Sequence, residues 1–324
     1  MTVEAIDASL WPGAPSGPAW RLATEHLSVL VFAQGAHLAD VRMRGVDEWV
    51  PVSVDYPDPS GDGEVGSEPG GFHGATIGRW ANRIAGSSYE HEGVTHRLAS
   101  NEGPNQLHGG PDGFHTRPWR LLEVGADSIT LGLHSPHGDQ GFPGAADVTA
   151  RFRVEGGALT MDYRAEADRP TPLNPTNHPY WNLGGTTLDG HLLCVDASEV
   201  LIVDDAGIPV AGPPQSVEGT RFDCRSESAL AEVVREGGFD HCFVVSEPDP
   251  AATQIELRHE SGRRLRVGTD QPGVQIYTGQ HLDPNRRGIA IETQRFPDGP
   301  NRPDFGPSVT RSFRSTTTLH FDNV

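Results

Sequence analysis

The sequence predicts an all-β, mostly antiparallel fold: a large sandwich with few short helices. Apolar residues recur at every second position in run after run, the period of a strand with one buried face. Turn formers separate the runs, with 39 glycines and 27 prolines among 324 residues. One segment stands out as helical, Ser226 to Glu236, with Leu230, Val233 and Val234 on one stripe and a serine at its start.

In chain order, Leu27, Val29 and Val31 alternate, and after Gly35 a second run leads to Val41, which reads as a hairpin or two successive strands. Tyr56 to Gly74 is rich in Gly, Pro, Asp and Ser and reads as a surface loop, with a mobile lid as the lesser alternative. Between Gly74 and Gly86, Ile77, Trp80, Ala81 and Ile84 fall at helical spacing and predict a short helical turn. Its polar side would carry Arg79, Asn82 and Arg83, ordinarily solvated but here candidates for ligand contact. Asn101 to Gly110 is almost entirely turn-forming. Its His108 precedes two glycines and either caps the turn or meets a ligand.

Three strand sets follow: Ile129, Leu131 and Leu133; Val148, Ala150, Phe152 and Val154; and Leu159, Met161 and Tyr163. The loop Ser135 to Gly144, with His134, His137 and Asp139 at its start, is an incomplete metal-ligand set. Strand-like runs lie near Leu192 to Val203, and the pairs Ile255/Leu257 and Leu265/Val267 alternate. In Gly273 to Gly279, Val274 and Ile276 face opposite to Gln275 and Tyr277. In Gly288 to Gln294, Ile289 and Ile291 face opposite to Glu292 and Gln294. A carboxylate and an amide so placed mark either a solvent-facing side or a site. No composition break or internal repeat divides the chain, so a single domain over 1–324 is expected.

Composition narrows the function. The formal net charge is −19, with acidic residues spread along the chain. Nucleic acid and anionic membranes are therefore poor partners, whereas a neutral small molecule is compatible. All 25 basic residues are arginine. Schiff-base, pyridoxal-phosphate and P-loop chemistries each need a lysine that this chain lacks. Cys194, Cys224 and Cys242 are odd in number and lack C-x-x-C spacing, which argues against a disulfide framework or zinc knuckle. The segment Met1 to Pro18 does not resemble a signal peptide and no run approaches a bilayer span, so a cytoplasmic location is expected.

Asn174-Pro175-Thr176-Asn177-His178-Pro179-Tyr180-Trp181-Asn182-Leu183-Gly184-Gly185 is the densest chemistry in the chain. Prolines exclude a helix interior and disfavour a central strand. A histidine between prolines, flanked by aromatics and amides, suits either a hydrogen-bonded corner or a proton-transferring sugar site.

Several segments together resemble the aldose 1-epimerases (galactose mutarotases). They are GRWANRI from Gly78, NQLHGG from Asn105, TNHPYWNLG from Thr176, Phe239-Asp240-His241, GVQIYTG from Gly273, and Ile291-Glu292-Thr293-Gln294 followed by Phe296-Pro297-Asp298. They occur in the family's order. The pattern departs at Pro179, at Trp181 and in the tail Gly306 to Phe313. The resemblance implies a galactose mutarotase-like β-sandwich, a sugar cleft, no cofactor and no metal. It implies His178 as general acid and Glu292 as general base, with Asn82, Arg83, His108, Asp240 and Gln275 holding the sugar. The partner would be a free monosaccharide and the enzyme a monomer or homodimer.

The chemistry fits these residue types. Interconverting α and β anomers opens a hemiacetal, which takes one protonated and one unprotonated group near neutral pH. An imidazolium beside a carboxylate supplies them. Spacing alone does not choose His178 over His108 as the acid. The expected function is an aldose 1-epimerase acting on galactose or glucose. The alternatives are a non-catalytic sugar sensor, a glycoside hydrolase using Asp240 and Glu292, and a sugar-phosphate epimerase relying on Arg79 and Arg83.

Overall fold

The computed structural model describes residues 1–7, 17–54, 72–280 and 288–323. Three antiparallel sheets carry the fold. A five-stranded meander runs in chain order through Thr2–Asp7, Pro18–Ala23, Leu27–Phe32, His37–Arg44 and Trp49–Pro51. A nine-stranded sheet runs in spatial order through Arg120–Val124, Ser128–Ser135, Ala146–Glu155, Ala158–Pro172, Val309–Asn323, Arg263–Thr269, Ile255–His259, His191–Val195 and Ser228–Ala229. The third sheet has six strands, ordered Tyr180–Trp181, Ile289–Gln294, Gly273–Tyr277, Asp240–Val244, Glu199–Val200 and Gln215–Ser216.

The alternating runs become the middle of the large sheet. Phe152 lies opposite both Ile129 and Met161, and Ala150 lies opposite Leu131 and Tyr163. Their inward side chains join one buried cluster that also takes Leu22 and Val29 from the meander and Ile276 and Ile291 from the six-stranded sheet. Each large apolar side chain so buried contributes roughly 1.5–3 kcal/mol.

Two local expectations fail. The helical spacing over 77–84 gives no helix: Thr76–Ile77 pairs with Asn177–Thr176, and Arg83–Ile84 pairs with Leu107–Gln106. Between them, Ala81 N–H donates to Asn174 O and Asn174 N–H donates to Arg79 O. Tertiary partners take the backbone groups that a helix would have used. Arg79, read as solvated or ligand-facing, is 1% exposed. Its guanidinium donates to Ser135 Oγ, Ser135 O, Pro136 O, Pro143 O and Thr171 Oγ1 at 2.9–3.3 Å, which pins the 135–144 loop. The predicted helix at Ser226 to Glu236 shortens to Leu230–Arg235, because Ser228–Ala229 pairs instead with Leu193–Leu192.

The loop histidines go to separate partners. His134 Nδ1 lies 2.8 Å from Asp147 Oδ1, His137 Nδ1 accepts from Gly144 N–H, and Asp139 accepts from Arg117. The 57–74 loop, read as a surface loop or lid, lies outside the described residues up to residue 71.

Candidate active site

His178 sits where the chain passes from one ladder to the next. Thr176–Asn177 pairs with Ile77–Thr76, and Tyr180–Trp181 pairs with Ala290–Ile289. The His178 backbone donates to Ala75 O at 3.0 Å and accepts from Gly74 N–H at 2.7 Å. Pro179 has no N–H to continue that ladder, so the strand breaks directly after the imidazole. Alternation then sends Tyr180 toward the site, with its ring 5.0 Å from that of His178. Trp181 turns into the core against Phe321, 5.4 Å between centroids. Trp181, where the motif departs from the family pattern, is therefore a core residue, fully buried.

Glu292 projects from Ile289–Gln294 directly opposite Gln275, and Gln275 lies opposite Cys242 on the next strand. The face opposite the isoleucines is not solvated: Glu292 is 2% and Gln275 3% exposed. Glu292 Oε1 lies 3.4 Å from His178 Nε2, and Glu292 Oε2 is buried without a hydrogen-bond partner. Burial pushes the Glu292 carboxyl well above the usual carboxylate range; Asp240 adds to the rise and Arg83 opposes it. Burial pushes the His178 imidazole down to about 3, with His73 adding to the drop. Burial therefore works against the charged imidazolium–carboxylate form of the pair and toward its neutral form, which holds the same number of protons.

His108 is reached through the Asn101 to Gly110 turn. Its backbone φ is +52°, and Gly109 at φ +86° passes so close to Gly78 O that any Cβ there would collide. The His108 N–H donates to Asn82 O, and Asn82 N–H donates to His108 Nδ1 at 3.1 Å. That second bond fixes the neutral ring's proton on Nε2. The ring lies edge-on to His178, 5.2 Å between centroids. His108 thus closes the turn, and its ring lies beside that of His178.

Arg83 donates from Nε and Nη2 to both oxygens of Glu102 at 2.7 and 2.8 Å, and its Nη1 lies 3.6 Å from Asp240 Oδ2. Asp240 Oδ1 accepts from Gln275 Nε2 at 2.6 Å. Asn82 Oδ1 accepts the Arg83 N–H at 2.8 Å. All seven expected residues therefore close one ring of contacts: His178, Glu292, Gln275, Asp240, Arg83, Asn82 and His108. The floor is buried, whereas Asp240 and Glu102 at the rim keep 41% and 36% side-chain exposure.

Four neighbours escaped the motif reading. Phe72 lies 4.5 Å from the His108 ring and 6.0 Å from that of His178. His73 stacks on Tyr180 at 4.5 Å. Tyr180 also meets Tyr277 at 6.1 Å. Glu102 lies inside the quoted turn, but no periodicity singles it out. Tyr277 alone left a signal, by sharing a strand face with Gln275.

Among the described residues, one group has metal-ligand proximity: His108, His178 and Glu292, with ligand atoms within 4.8 Å of one another. The donor set fits an ion poorly. His108 Nδ1 already accepts the Asn82 N–H and Nε2 carries the proton, so the neutral ring offers no lone pair. A neutral, hydroxyl-bearing ligand fits better.

The buried histidines carry a stability consequence. Burial lowers His37, His73, His115 and His191 to about 4 and His178 to about 3, and pushes His108 well below its ordinary value. Folded, these rings stay unprotonated through mildly acid pH; unfolded, each takes up a proton near 6.5. Stability is therefore lost as pH falls from about 6.5 toward 4, by up to ~1.4 kcal/mol per pH unit for each ring. Glu292 and Asp298, whose pKa values are raised, act in the opposite sense but are fewer. Thermal melts at constant ionic strength are expected to show a clear drop in midpoint between pH 7.5 and 5. An unchanged midpoint would contradict the burial of these rings.

Comparison with known proteins shows the family. The family model for aldose 1-epimerase matches residues 18–319. Bovine galactose mutarotase is 38% identical over 260 residues, spanning 74% of this chain and 75% of that protein. The aldose 1-epimerase of Escherichia coli K12 is 38% identical over 257 residues, 72% of this chain and 74% of its own length. Among solved structures, an aldose epimerase homologue from C. elegans superposes with a TM-score of 0.85 at 27% identity, covering 94% of this chain and 98% of that one. Galactose 1-epimerase from Lactobacillus acidophilus gives 0.83 at 25% identity, with 99% of both chains covered. With the family model spanning nearly the whole sequence and the fold matching throughout, the chain belongs to the aldose 1-epimerase family.

Proposed function

We propose that this enzyme interconverts the α and β anomers of a free, neutral aldohexose, galactose or glucose, with Glu292 as base and His178 as acid. The observation that carries the assignment is the 3.4 Å approach of His178 Nε2 to Glu292 Oε1 on a buried floor. Glu292 takes the proton from the anomeric hydroxyl while His178 gives one to the ring oxygen. The C1–O5 bond breaks and C1 becomes an aldehyde carbon. After rotation about C1–C2, the C5 hydroxyl returns its proton to His178 and attacks C1, and Glu292 reprotonates O1. Every proton is recovered at the end of the cycle.

His108 is less suited to the acid role, because its Nδ1 is engaged by Asn82. Its Nε2–H is a fixed donor for a sugar oxygen. Arg83, Asp240 and Gln275 offer donors and acceptors to the hydroxyls, and Phe72, Tyr180 and Tyr277 offer apolar faces.

The sugar-phosphate alternative loses its basis: Arg79 is buried under another loop, and Arg83 is already bound by Glu102. Asp240 is tied to Gln275 and Arg83, which suits an acceptor more than the free acid of a glycosidase. We also read the chain as one domain, supported by the single cluster through all three sheets. Three free cysteines support a reducing compartment. A monomer or homodimer remains the expected assembly, and among the described residues no helix is long and apolar enough to cross a membrane.

The assay is polarimetry on freshly dissolved α-galactose and α-glucose. Accelerated approach to the equilibrium rotation is expected with at least one. No acceleration with any common aldose, despite sugar binding in calorimetry, would favour a sensor.

A further inference from the structure

Arg83 is the one guanidinium in the ring of site contacts, and its geometry is unusually constrained. Both oxygens of Glu102 engage it in a two-bond fork at 2.7 and 2.8 Å, through Nε and Nη2. A second wall is Gly207, where a Cβ would come within 2.7 Å of the Arg83 guanidinium carbon. The backbone behind it is held as well, since Arg83 pairs with Leu107 and its N–H donates to Asn82 Oδ1. The two Nη1 hydrogens and the second Nη2 hydrogen remain, and Nη1 lies 3.6 Å from Asp240, too far for a strong bond to it. Nη1 is thus a donor left for a ligand, on the side of Asp240.

Glu102 is itself firmly placed. Its N–H donates to Asn105 O and its carbonyl accepts from Asn105 N–H, closing a turn through Gly103 and Pro104. The turn that delivers His108 to the site therefore delivers Glu102 to Arg83. Burial opposes the Arg83 charge, but the Glu102 hydrogen bonds, then Asp240, Glu102 and Glu292, outweigh it and keep the guanidinium firmly protonated.

We infer that Glu102 is a positioning residue for the sugar site: its two-bond grip sets the orientation of Arg83 and aims Nη1 at a sugar hydroxyl beside Asp240. A free arginine side chain spreads over many rotamers, and ordering it on binding costs affinity. The Glu102 fork orders it before the sugar arrives. The same fork offsets the guanidinium charge, so the rim favours neutral hydroxyls over anionic groups. This inference rests on the epimerase reading of the same site.

The test is a double-mutant cycle on galactose or glucose mutarotation, read as kcat and KM separately. Glu102→Ala is expected to raise KM about tenfold while kcat falls less than about threefold, the signature of lost binding rather than lost chemistry. Glu102→Gln keeps the shape and one acceptor oxygen, and should raise KM by less. In an Arg83→Ala background, Glu102→Ala should add less than about twofold, because its effect passes through Arg83. Melting temperatures of all variants separate loss of folding from loss of positioning. An unchanged KM in folded Glu102→Ala, effects that add fully with Arg83→Ala, or a fall in kcat alone would each overturn the inference. A wild-type enzyme with no mutarotase activity would instead overturn the epimerase reading and this inference with it.

Discussion

Glu292→Gln is expected to bind sugar nearly as the wild type does and to lose turnover by roughly 10²–10⁴-fold, the usual contribution of a positioned general base. The substitution preserves shape, and the hydrogen bonds of Gln275 to Asp240 and of Asn82 to His108 do not pass through Glu292. What it removes is the ability to accept the anomeric proton. The carboxyl is buried, and its Oε2 has no protein partner, so that oxygen is available to the substrate. Polarimetry gives the rate and calorimetry the affinity. Turnover within a few-fold of wild type would remove Glu292 from the base role.

His178→Asn is expected to cost a comparable factor, roughly 10²–10⁴-fold in kcat, because among the described residues His178 alone brings a ring nitrogen within 4.0 Å of Glu292. The nearest imidazole, His108, is oriented by Asn82 with its proton already assigned. His108→Asn should therefore act differently, raising KM more than it lowers kcat, since it deletes a fixed donor and not the moving proton. If His108→Asn abolishes turnover while His178→Asn keeps it, the two histidines exchange roles. The pair also explains why pH dependence should be assigned with care. His178 and Glu292 share one proton at 3.4 Å, so apparent pKa values of the rate belong to the pair. The acid limb will overlap with loss of stability as the six buried histidines become costly to keep neutral.

Much of the fold was legible along the chain because a half-buried strand writes its burial into a period of two. Val148 to Val154 and Leu159 to Tyr163 are adjacent strands, and the sides that alternate in sequence are the sides that separate core from surface. The failures have one cause. Ile77, Trp80, Ala81 and Ile84 have helical spacing, but their burial comes from different directions. Trp80 packs with Tyr89 and Phe142, whereas Ile77 and Ala81 pack with Ala75. Periodicity cannot distinguish one buried face from several buried sides. The same limit hid Arg79, whose five carbonyl and hydroxyl partners lie 56 to 92 residues away.

The sequence by itself determined the strand-rich fold and the exclusion of lysine-dependent chemistry and, through its ordered motifs, pointed to the seven residues that the fold gathers. Local rules reach that far because alternation, turn chemistry and residue type are properties of short segments. Only the tertiary structure decided that His178 Nε2 comes within 3.4 Å of Glu292, that Trp181 belongs to the core while Tyr180 lies against His178, and that Glu102 grips Arg83. It also set the direction in which burial shifts the central pair, Glu292 up and His178 down. A pKa depends on burial and on charges brought close by the fold, and neither Glu292 nor His178 carries that information in its own segment.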